Sequence, residues 1–476
     1  MKKLDLFLLT MILLVGLALR LYKIDIPLAD FHSWRQADTA AVARNFLRGG
    51  FDLLHPRYDD LSNVQSGFEN PQGYRMVEFP IYNAIFAYGY QLMPSLTLEE
   101  WGRLVSIFFS LVIIAVIYYL LLKEKDRLAA FFASFIYAVF PFFVFFSRVV
   151  LPESTALGFT FLAILFLYVG NPKKTVSYTI YLILSIVSFA VALLVMPTTI
   201  FFGLPLAYIF FKNYKWKTVK NPLFYLYFLI AVAPLFLWRN YIKSYPEGIP
   251  VNEWLFTSVN TGGGLQNVFF RPAFFRWIFF DRINNLILGG YLMVFFVLGI
   301  VAKQKRWLPL TILFASIVYL FTFQGGNVQH VYYQTLILPG LAIFTGLGVS
   351  FLAENRKIVV PFLVYVSIPI MFALSWFFSF YQVKSYYDYS AELVQEAQII
   401  NSLTSSQDKI VTDRMGDTTL LYLSDRRGAP AIYKDPKDLK NLGYSYLVTS
   451  SQTEINLLKD KYEAVFENDK FSIFKL

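Results

Sequence analysis

Long apolar runs separated by short charged loops dominate the pattern of this chain. A helix needs about 20 apolar residues to cross the hydrocarbon core of a bilayer, and about eleven stretches approach or reach that length. The predicted spans are 5–22, 101–122, 128–146, 153–170, 176–195, 197–211, 222–240, 286–302, 308–323, 332–353 and 358–380. The pattern therefore predicts a polytopic α-helical membrane protein.

The amino-acid composition agrees with a membrane protein and argues against several kinds of function. The chain has 476 residues, of which 57% are hydrophobic and only 16% are charged, whereas soluble proteins have about 25% charged residues. The net charge of +10 resides mostly in short loops, which argues against nucleic-acid binding. The absence of cysteine excludes disulfides, thiolate metal sites and a cysteine nucleophile.

The loops predict how the chain is oriented. Alternate loops are short and rich in Lys or Arg, and such loops lie in the cytoplasm. They are MKK, KEKDR (123–127), NPKKT (171–175), KNYKWKTVKN (212–221), AKQKRW (302–307) and ENRK (354–357). With about eleven spans, the N-terminus lies inside and the C-terminus outside. The apolar stretch 79–94 must then lie along the outer surface. The first apolar run has no A-x-A-like cleavage site, so it is predicted to remain as the first span.

The outer part has three predicted pieces. Loops 23–100 and 241–285 belong to a membrane domain over residues 1–380, and both contain predicted juxtamembrane helices. In FFRPAFFRWIFFDRINN, aromatic residues alternate with arginines, which is typical of an interfacial helix. From residue 385 the composition becomes soluble, and helical and strand periods alternate. Residues 385–476 are predicted to form a small extracytoplasmic α/β domain, either a recognition lid or a stabilising cap.

Three acidic residues stand at the predicted outer ends of apolar segments: Asp38, Glu78 and Glu153. A carboxylate near bilayer depth is costly unless it has a partner or a function. Each also has a structural interpretation, because acidic residues cap or favour helix N-termini. Asp30 competes with Asp38 for the same role. Three such residues on one side of the membrane indicate a candidate catalytic site.

The chemistry of such a site follows from the residue types. A carboxylate in a partly dry site has a raised pKa and takes a proton from an acceptor hydroxyl or amine. The acceptor then attacks the anomeric carbon of a sugar, while arginines hold the departing phosphate. Arg35, Arg271, His330 and Tyr332 are the candidates for phosphate binding. Headgroup contact for the arginines and a structural hydrogen bond for the histidine are the alternatives. The other outer arginines are Arg75, Arg148, Arg276 and Arg282.

The order of several segments resembles a known family. The run AVARNF in the first outer loop is followed by VEFPIYNAI, by WGRLVS at the start of a span, by LPES, and by HVYYQTLILPGLA. Over residues 1–380 this order is similar to that of the C superfamily of glycosyltransferases. In particular, it resembles glycosyltransferase family 39 relatives, which include protein O-mannosyltransferases and the aminoarabinose transferase of lipid A.

The resemblance implies a specific reaction. A sugar would pass from a polyprenyl-phosphate carrier to a lipid, glycan or protein acceptor outside the cell membrane, with inversion and with an acidic base in the first outer loop. Eight residues before Ala43-Arg44, where the family has an acidic pair, this chain has Arg35-Gln36. The base is therefore assigned to Asp38, with Asp30 as the alternative. Glu78 and Glu153 would orient the acceptor or a cation. No cofactor is assigned with certainty; if a divalent metal ion takes part, Glu78 and His330 are its candidate ligands.

Two other functions remain open at the level of sequence. A transporter or flippase of lipid-linked or polar solutes would place charges at mid-membrane and show pseudo-repeats, and this chain shows no repeat. An envelope assembly protein would use residues 385–476 to bind a partner. The leading hypothesis is a multi-pass membrane glycosyltransferase whose partners are the donor lipid, an acceptor and membrane lipids, with no nucleic acid.

Overall fold

The computed structural model describes residues 1–250, 271–303, 306–355 and 361–476. Over these residues the chain is mostly helical. The helices are α1 (Lys3–Arg20), α2 (Ser33–Gly49), α3 (Ile81–Leu92), α4 (Leu98–Glu124), α5 (Arg127–Val139), α6 (Pro141–Phe146), α7 (Glu153–Val169), α8 (Thr175–Val195), α9 (Gly203–Tyr214), α10 (Pro222–Tyr241), α11 (Pro272–Phe275), α12 (Leu292–Val301), α13 (Leu308–Thr322), α14 (Gln324–Gln329), α15 (Leu338–Glu354), α16 (Pro361–Val383), α17 (Ala391–Leu403), α18 (Thr419–Leu423), α19 (Pro436–Asn441) and α20 (Gln452–Lys459). A π-helical stretch, Arg276–Ile287, continues α11.

The chain divides into two compact units. The first, called the helical unit, comprises three segments of the chain: Met1–Ile24, Arg103–Trp238 and residues 253–386. The second, called the mixed unit, comprises Asp25–Gly102, the segment from Arg239, and Tyr387–Leu476. The residues predicted as a separate α/β domain thus share one unit with the first outer loop. The domain boundaries at 380 and 385 stay a prediction.

Glycines allow close helix packing in the helical unit. A Cβ added at Gly299 of α12 would lie 1.9 Å from the backbone oxygen of Phe344 in α15. A Cβ at Gly346 would lie 2.6 Å from the backbone nitrogen of Ala133 in α5. Small residues at such crossings let helix backbones approach. In the apolar stretch of Val331–Glu354, which contains α15, 83% of the residues are buried, against 22% in the apolar stretch that contains α10. Helix α15 is therefore central and α10 peripheral within this unit.

The number of membrane crossings differs in part from the pattern of the sequence. Within the described ranges, five helices are long and apolar enough to cross a membrane, and a sixth candidate is a pair of helices bent by 117°. The predicted span 286–302 is wrong as a straight helix, because Gly289 and Gly290 have positive φ angles and break it. Likewise 128–146 is interrupted at Phe140-Pro141. The count of eleven spans stays a prediction, as does the orientation of the termini.

The mixed unit contains a five-stranded mixed sheet. Its strands are β1 (Lys409–Thr412), β2 (Arg427–Ala429), β3 (Tyr446–Thr449), β4 (Glu463–Glu467) and β5 (Ser472–Lys475). The strand order is β2-β1-β3-β5-β4, with β2, β1 and β3 parallel and β5 antiparallel to β3. Two small apolar cores lie on the faces of this sheet, under α17 and α18 on one side and under α19 and α20 on the other.

The predicted first outer loop pairs with strand β2 at the edge of this sheet. The amide of Leu61 donates to the backbone oxygen of Gly428 at 2.7 Å, and the amide of Gly428 donates to the backbone oxygen of Asp59 at 2.8 Å. This pairing covers the edge strand β2, whose unpaired backbone groups would otherwise be open to aggregation. It also fixes the adjacent acidic residues of the loop against the sheet.

Candidate active site

Helix α2 carries the first predicted catalytic residue and positions it in an unexpected way. Asp38 lies in the second turn of α2, five residues after the helix begins at Ser33. The interpretation of Asp38 as an N-terminal cap is therefore wrong. All seven residues of the run ADTAAVA are buried, so this part of α2 is enclosed on every side. Asp38 is enclosed with them and is only 1% exposed.

Both oxygens of Asp38 face polar partners. The hydroxyl of Thr418 donates to Oδ1 at 2.6 Å, and Nη1 of Arg75 lies 3.0 Å from Oδ2. Thr418 itself is 2% exposed. Burial raises the pKa of Asp38 above its usual value, while Arg75, the Thr418 hydroxyl and then Arg35 act in the lowering direction. A buried carboxylate with a raised pKa is suited to accept a proton.

Glu78 lies beside the same helix. It accepts a hydrogen bond from Nη2 of Arg35, which stands one turn before Asp38 on α2. Helix α3 begins only at Ile81, and no side chain caps it, so the capping interpretation of Glu78 is also wrong. Its side chain is 21% exposed, and Arg239 is close enough to interact electrostatically with it. Glu78 is thus the most accessible carboxylate of this group.

Asp30, the alternative base, has a different environment. It is 3% exposed, and Oδ1 accepts a hydrogen bond of 2.6 Å from Nε2 of Gln36. Gln36 also donates to the backbone oxygen of Phe31 at 3.1 Å. This network orders the turn that leads into α2, a structural role that the sequence did not indicate.

Two further carboxylates, Asp59 and Asp60, complete what we call the carboxylate cluster, Asp38, Asp59 and Asp60. Oδ1 of Asp60 accepts hydrogen bonds from the amide and hydroxyl of Ser62 at 2.8 and 2.6 Å. Burial raises the pKa of Asp60 to about 7, with the charge of Asp38 adding to the increase. Because Asp38 and Asp60 interact electrostatically, a proton gained by one eases ionisation of the other.

Arginines offset the charge of the carboxylate cluster. Nη2 of Arg44 lies 2.5 Å from Asp59, and its Nη1 lies 2.8 Å from Asp425. The guanidinium also covers the ring of Tyr422 at 4.2 Å. Arg75 is placed 5.1 Å from the ring of Tyr58. Since Tyr422 of α18 and Asp425, which follows α18, take part, the C-terminal part of the chain holds the acidic loop in place.

Sequence reasoning missed four of these residues. The adjacent pair Asp59-Asp60 in YDDLSN was a usable signal, because two acids side by side in an outer loop are costly to bury. Arg44 lies in the AVARNF run already noted for its resemblance. Thr418 had no such signal, since its contact with Asp38 spans 380 positions.

The remaining predicted residues lie in the helical unit. Glu153 is the first residue of α7 and is 2% exposed, in keeping with a helix N-terminus. His330 links α14 to a 3₁₀ turn, and its ring stacks on Tyr332 at 5.4 Å. Tyr332 is 3% exposed. Helix α7 contacts this turn, and Glu153 acts electrostatically on Tyr319, whose hydroxyl donates to the backbone oxygen of Tyr333.

The predicted phosphate-binding arginines have varied environments. Arg35 is engaged with Glu78. Arg271 is exposed at the start of α11, and the adjoining residues 251–270 of the predicted outer loop lie outside the described ranges. Arg282 donates to the backbone oxygens of Asn327 and Val328, so it supports the turn before His330. Arg148 donates to the backbone oxygen of Lys23 at 2.5 Å.

Metal binding receives no geometric support from the part of the chain that the structure describes. Within it, no three side chains of His, Asp or Glu come together as a metal site. The predicted ligands Glu78 and His330 belong to different units. A divalent ion at these residues stays a prediction.

The sequence matches one protein family over part of its length. Residues 79–238 match the dolichyl-phosphate-mannose-protein mannosyltransferase family. This stretch includes Glu78's neighbour Phe79, the surface-helix candidate α3, and Glu153. No curated protein sequence is significantly similar to the chain.

Solved structures are similar over nearly the whole chain. The crystal structure of ArnT from Cupriavidus metallidurans bound to undecaprenyl phosphate has a TM-score of 0.68 and 15% identity, covering 98% of this chain and 97% of that one. The chain therefore has the same overall fold as this ArnT structure. The Archaeoglobus fulgidus oligosaccharyltransferase in complex with Zn and sulfate has a TM-score of 0.58 and 13% identity, and the similarity covers 93% of this chain and 68% of that one.

A third similar structure extends the same comparison. The arabinofuranosyltransferase AftD from Mycobacteria has a TM-score of 0.52 and 13% identity, covering 93% of this chain and 36% of that chain. The resemblance inferred from the order of motifs is therefore confirmed. The apolar helices and these similarities together indicate a multi-pass membrane protein.

Proposed function

We propose that the protein transfers a sugar from a polyprenyl-phosphate-linked donor to a lipid, glycan or protein acceptor on the outer side of the cell membrane. The observation that carries this proposal is Asp38, a buried carboxylate with a raised pKa, beside Arg75 and Arg35, in a chain with the C-superfamily fold. ArnT, which is similar to this chain, was crystallised with undecaprenyl phosphate, and this supports a donor of that class.

In the proposed reaction, Asp38 takes the proton from an acceptor O–H or N–H group. The acceptor atom forms a bond to the anomeric carbon as the bond from that carbon to the phosphate oxygen breaks. The polyprenyl phosphate leaves with the electron pair, and the configuration at carbon inverts. In the free protein Asp38 is engaged by Thr418 and Arg75, and catalytic hydrogen bonds often form only once substrate is bound.

The other predicted residues have auxiliary roles in this proposal. Glu78, which is partly exposed, would meet the acceptor or a cation, and Glu153 would help to orient it. Arg35 would bind the departing phosphate through charge-assisted hydrogen bonds. The phosphate contacts of Arg271, His330 and Tyr332, which belong to the helical unit, stay predictions. A divalent ion, if bound, would add positive charge at the leaving group. Residues 385–476 would support the base through Thr418 rather than act as a lid.

Sugar transfer in membranes tests the proposal. Wild type and the variants Asp38→Asn, Asp30→Asn and Glu78→Gln, at matched expression, are supplied with polyprenyl-phosphate sugars. Asp38→Asn should lose about a thousandfold or more, since both the base and its charge are removed. The exposed Asp52 provides a control, and Asp52→Asn should retain activity.

Two outcomes would contradict the proposal. If wild type transfers no sugar from any such donor, the enzyme hypothesis is wrong, and lipid flipping becomes the function to measure. If wild type transfers sugar and Asp38→Asn equals it, the base is wrong, and a loss in Glu78→Gln or Asp30→Asn alone would name another carboxylate.

A further inference from the structure

A cavity of about 360 Å³ lies in the mixed unit, and no residue of the carboxylate cluster lines it. Its walls come from α17, from Arg414 just after β1, from Ser450 just after β3, and from the turn 468–471 between β4 and β5. Its volume falls in the range of roughly 300–1,000 Å³ typical of small-molecule sites.

Sheet topology independently predicts a binding crevice at this place. Strands β1 and β3 are parallel neighbours. The chain leaves β1 toward β2 on one side and leaves β3 toward β4 and β5 on the other. Where connections diverge in this way, the carboxyl ends of the two strands border an open crevice, and open α/β sheets bind ligands there. Arg414 and Ser450 follow these two strand ends and both line the cavity.

The charges of the cavity argue against a phosphate ligand. Asp413 accepts hydrogen bonds from the amide and the hydroxyl of Ser450 at 2.7 and 3.0 Å. A carboxylate therefore already lies beside the start of α20, where an anion would otherwise bind. The two cations of the cavity are also matched, because Arg414 pairs with Glu396 and Lys470 Nζ lies 2.5 Å from Glu392.

The remaining surface suits a neutral ligand with many hydroxyl groups. Glu392 and Glu396 supply acceptors, while Gln395 and Asn468 supply both donors and acceptors. Hydroxyl groups bonded to a carboxylate make strong, charge-assisted hydrogen bonds. Leu393, Ile399 and Phe471 add an apolar surface against which the C–H face of a pyranose ring packs.

We propose that this cavity binds one or two sugar residues of a glycan. The proposal goes beyond the transfer reaction, because the cavity is built entirely from residues 390–471 and its binding requires no turnover. A saccharide held here would be a recognition contact and not the reacting group.

Saturation-transfer NMR on the detergent-solubilised full chain tests this directly. The probes are methyl α-D-mannopyranoside, methyl α-D-glucopyranoside, methyl β-D-galactopyranoside and N-acetylglucosamine, with inorganic phosphate as the competing class. Gln395→Trp places a large ring over the cavity. Gln398→Trp, also exposed on α17 but outside the cavity, is the matched control. Thermal unfolding of each variant shows whether it is folded.

The proposal is supported if wild type and Gln398→Trp both bind a saccharide and Gln395→Trp binds it at least about tenfold more weakly. If Gln395→Trp does not fold, the double variant Glu392→Ala/Lys470→Ala, which removes an exposed pair at the mouth, takes its place. Three results would overturn the proposal. The protein binds none of the saccharides, the variants leave saccharide binding unchanged, or the protein binds phosphate and these variants remove that binding. Loss of sugar transfer with saccharide binding intact would count against the proposed enzyme alone.

Discussion

Replacing Thr418 by valine isolates the contact that ties the distal part of the chain to Asp38. Valine has nearly the same shape as threonine but cannot donate a hydrogen bond. The hydroxyl lies 2.6 Å from Oδ1 of Asp38, and both residues are nearly fully buried. A hydrogen bond to a charged group is worth about 1.5–3 kcal/mol.

The pH dependence of sugar transfer is the appropriate assay. The Thr418 hydroxyl acts to lower the pKa of Asp38, so its removal raises that pKa further. On the acid side of the profile, the loss of about 1.5–3 kcal/mol corresponds to roughly 10- to 100-fold less ionised base. Activity should therefore fall most at low pH and recover as the pH rises. A merely structural defect would lower activity equally at every pH.

Two controls sharpen the interpretation of Thr418→Val. Thr418→Ser keeps the hydroxyl and should keep the wild-type profile. Thr412→Val alters a buried threonine of β1 in the same unit and should leave the profile in place. An acid limb at the same pH in Thr418→Val and wild type would refute the reasoning, because the hydrogen bond would then have no effect on ionisation of the base.

Thermal unfolding gives the same information without turnover. Because the folded-state pKa of Asp38 is raised, this residue stabilises the fold in its protonated form, and that contribution is lost as pH rises through the folded-state pKa. Thr418→Val should move this loss to higher pH. Comparison with Thr418→Ser removes the contributions of all other titrating groups.

Three further predictions concern the mixed unit. Burial raises the pKa of Asp60 in the folded state to about 7 from its usual 3.8, so between these pH values the folded protein holds a proton that the unfolded chain has lost. The free energy of unfolding of the wild type should therefore fall as the pH rises through this window, by up to about 1.4 kcal/mol per pH unit. Chemical unfolding of Asp60→Asn should lack this slope. Arg44→Ala should cost about 3–5 kcal/mol, since it removes the cation paired with the buried Asp59, whereas Arg48→Ala, at a site 45% exposed, should change stability by less than about 0.5 kcal/mol. In Gly428→Ala the new Cβ would lie 1.7 Å from a backbone oxygen of β1 and should cost more than about 3 kcal/mol in thermal unfolding, while Gly49→Ala, with open space around it, should be neutral.

Each of these three predictions has an outcome that would contradict it. Equal pH slopes in wild type and Asp60→Asn would mean that Asp60 titrates normally. Equal losses in Arg44→Ala and Arg48→Ala would mean that burial does not distinguish the two arginines. A stable Gly428→Ala would mean that β1 and β2 separate without cost.

Helix-forming segments followed closely from the sequence. Apolar runs and their flanking charges predicted segments such as 176–195 and 332–353, and the structure has helices there. Breaks within the runs were harder to predict. The bend at Gly289 and Gly290 depends on two adjacent positive φ angles, and a hydropathy pattern does not record backbone conformation.

The candidate active site could likewise be predicted only in part from the sequence. Asp38, Glu78 and Arg35 were recognised as candidates from their positions beside apolar segments, and the structure brings them together in one unit. Their local interpretation was wrong, because neither acid is a helix cap. Both are paired with arginines from another segment of the chain, and long-range pairing has no signature in local sequence.

The sequence by itself determined the class of protein, because hydrophobicity, loop charge and residue periodicity are local properties that each segment carries alone. The resemblance to C-superfamily glycosyltransferases was also visible there, in the order of short motifs. Only the tertiary structure decided which polar groups face Asp38, because Thr418 and Arg75 reach it through chain folding. Burial then sets the ionisation of Asp38 and Asp60, and burial is a property of the assembled fold that no single segment possesses.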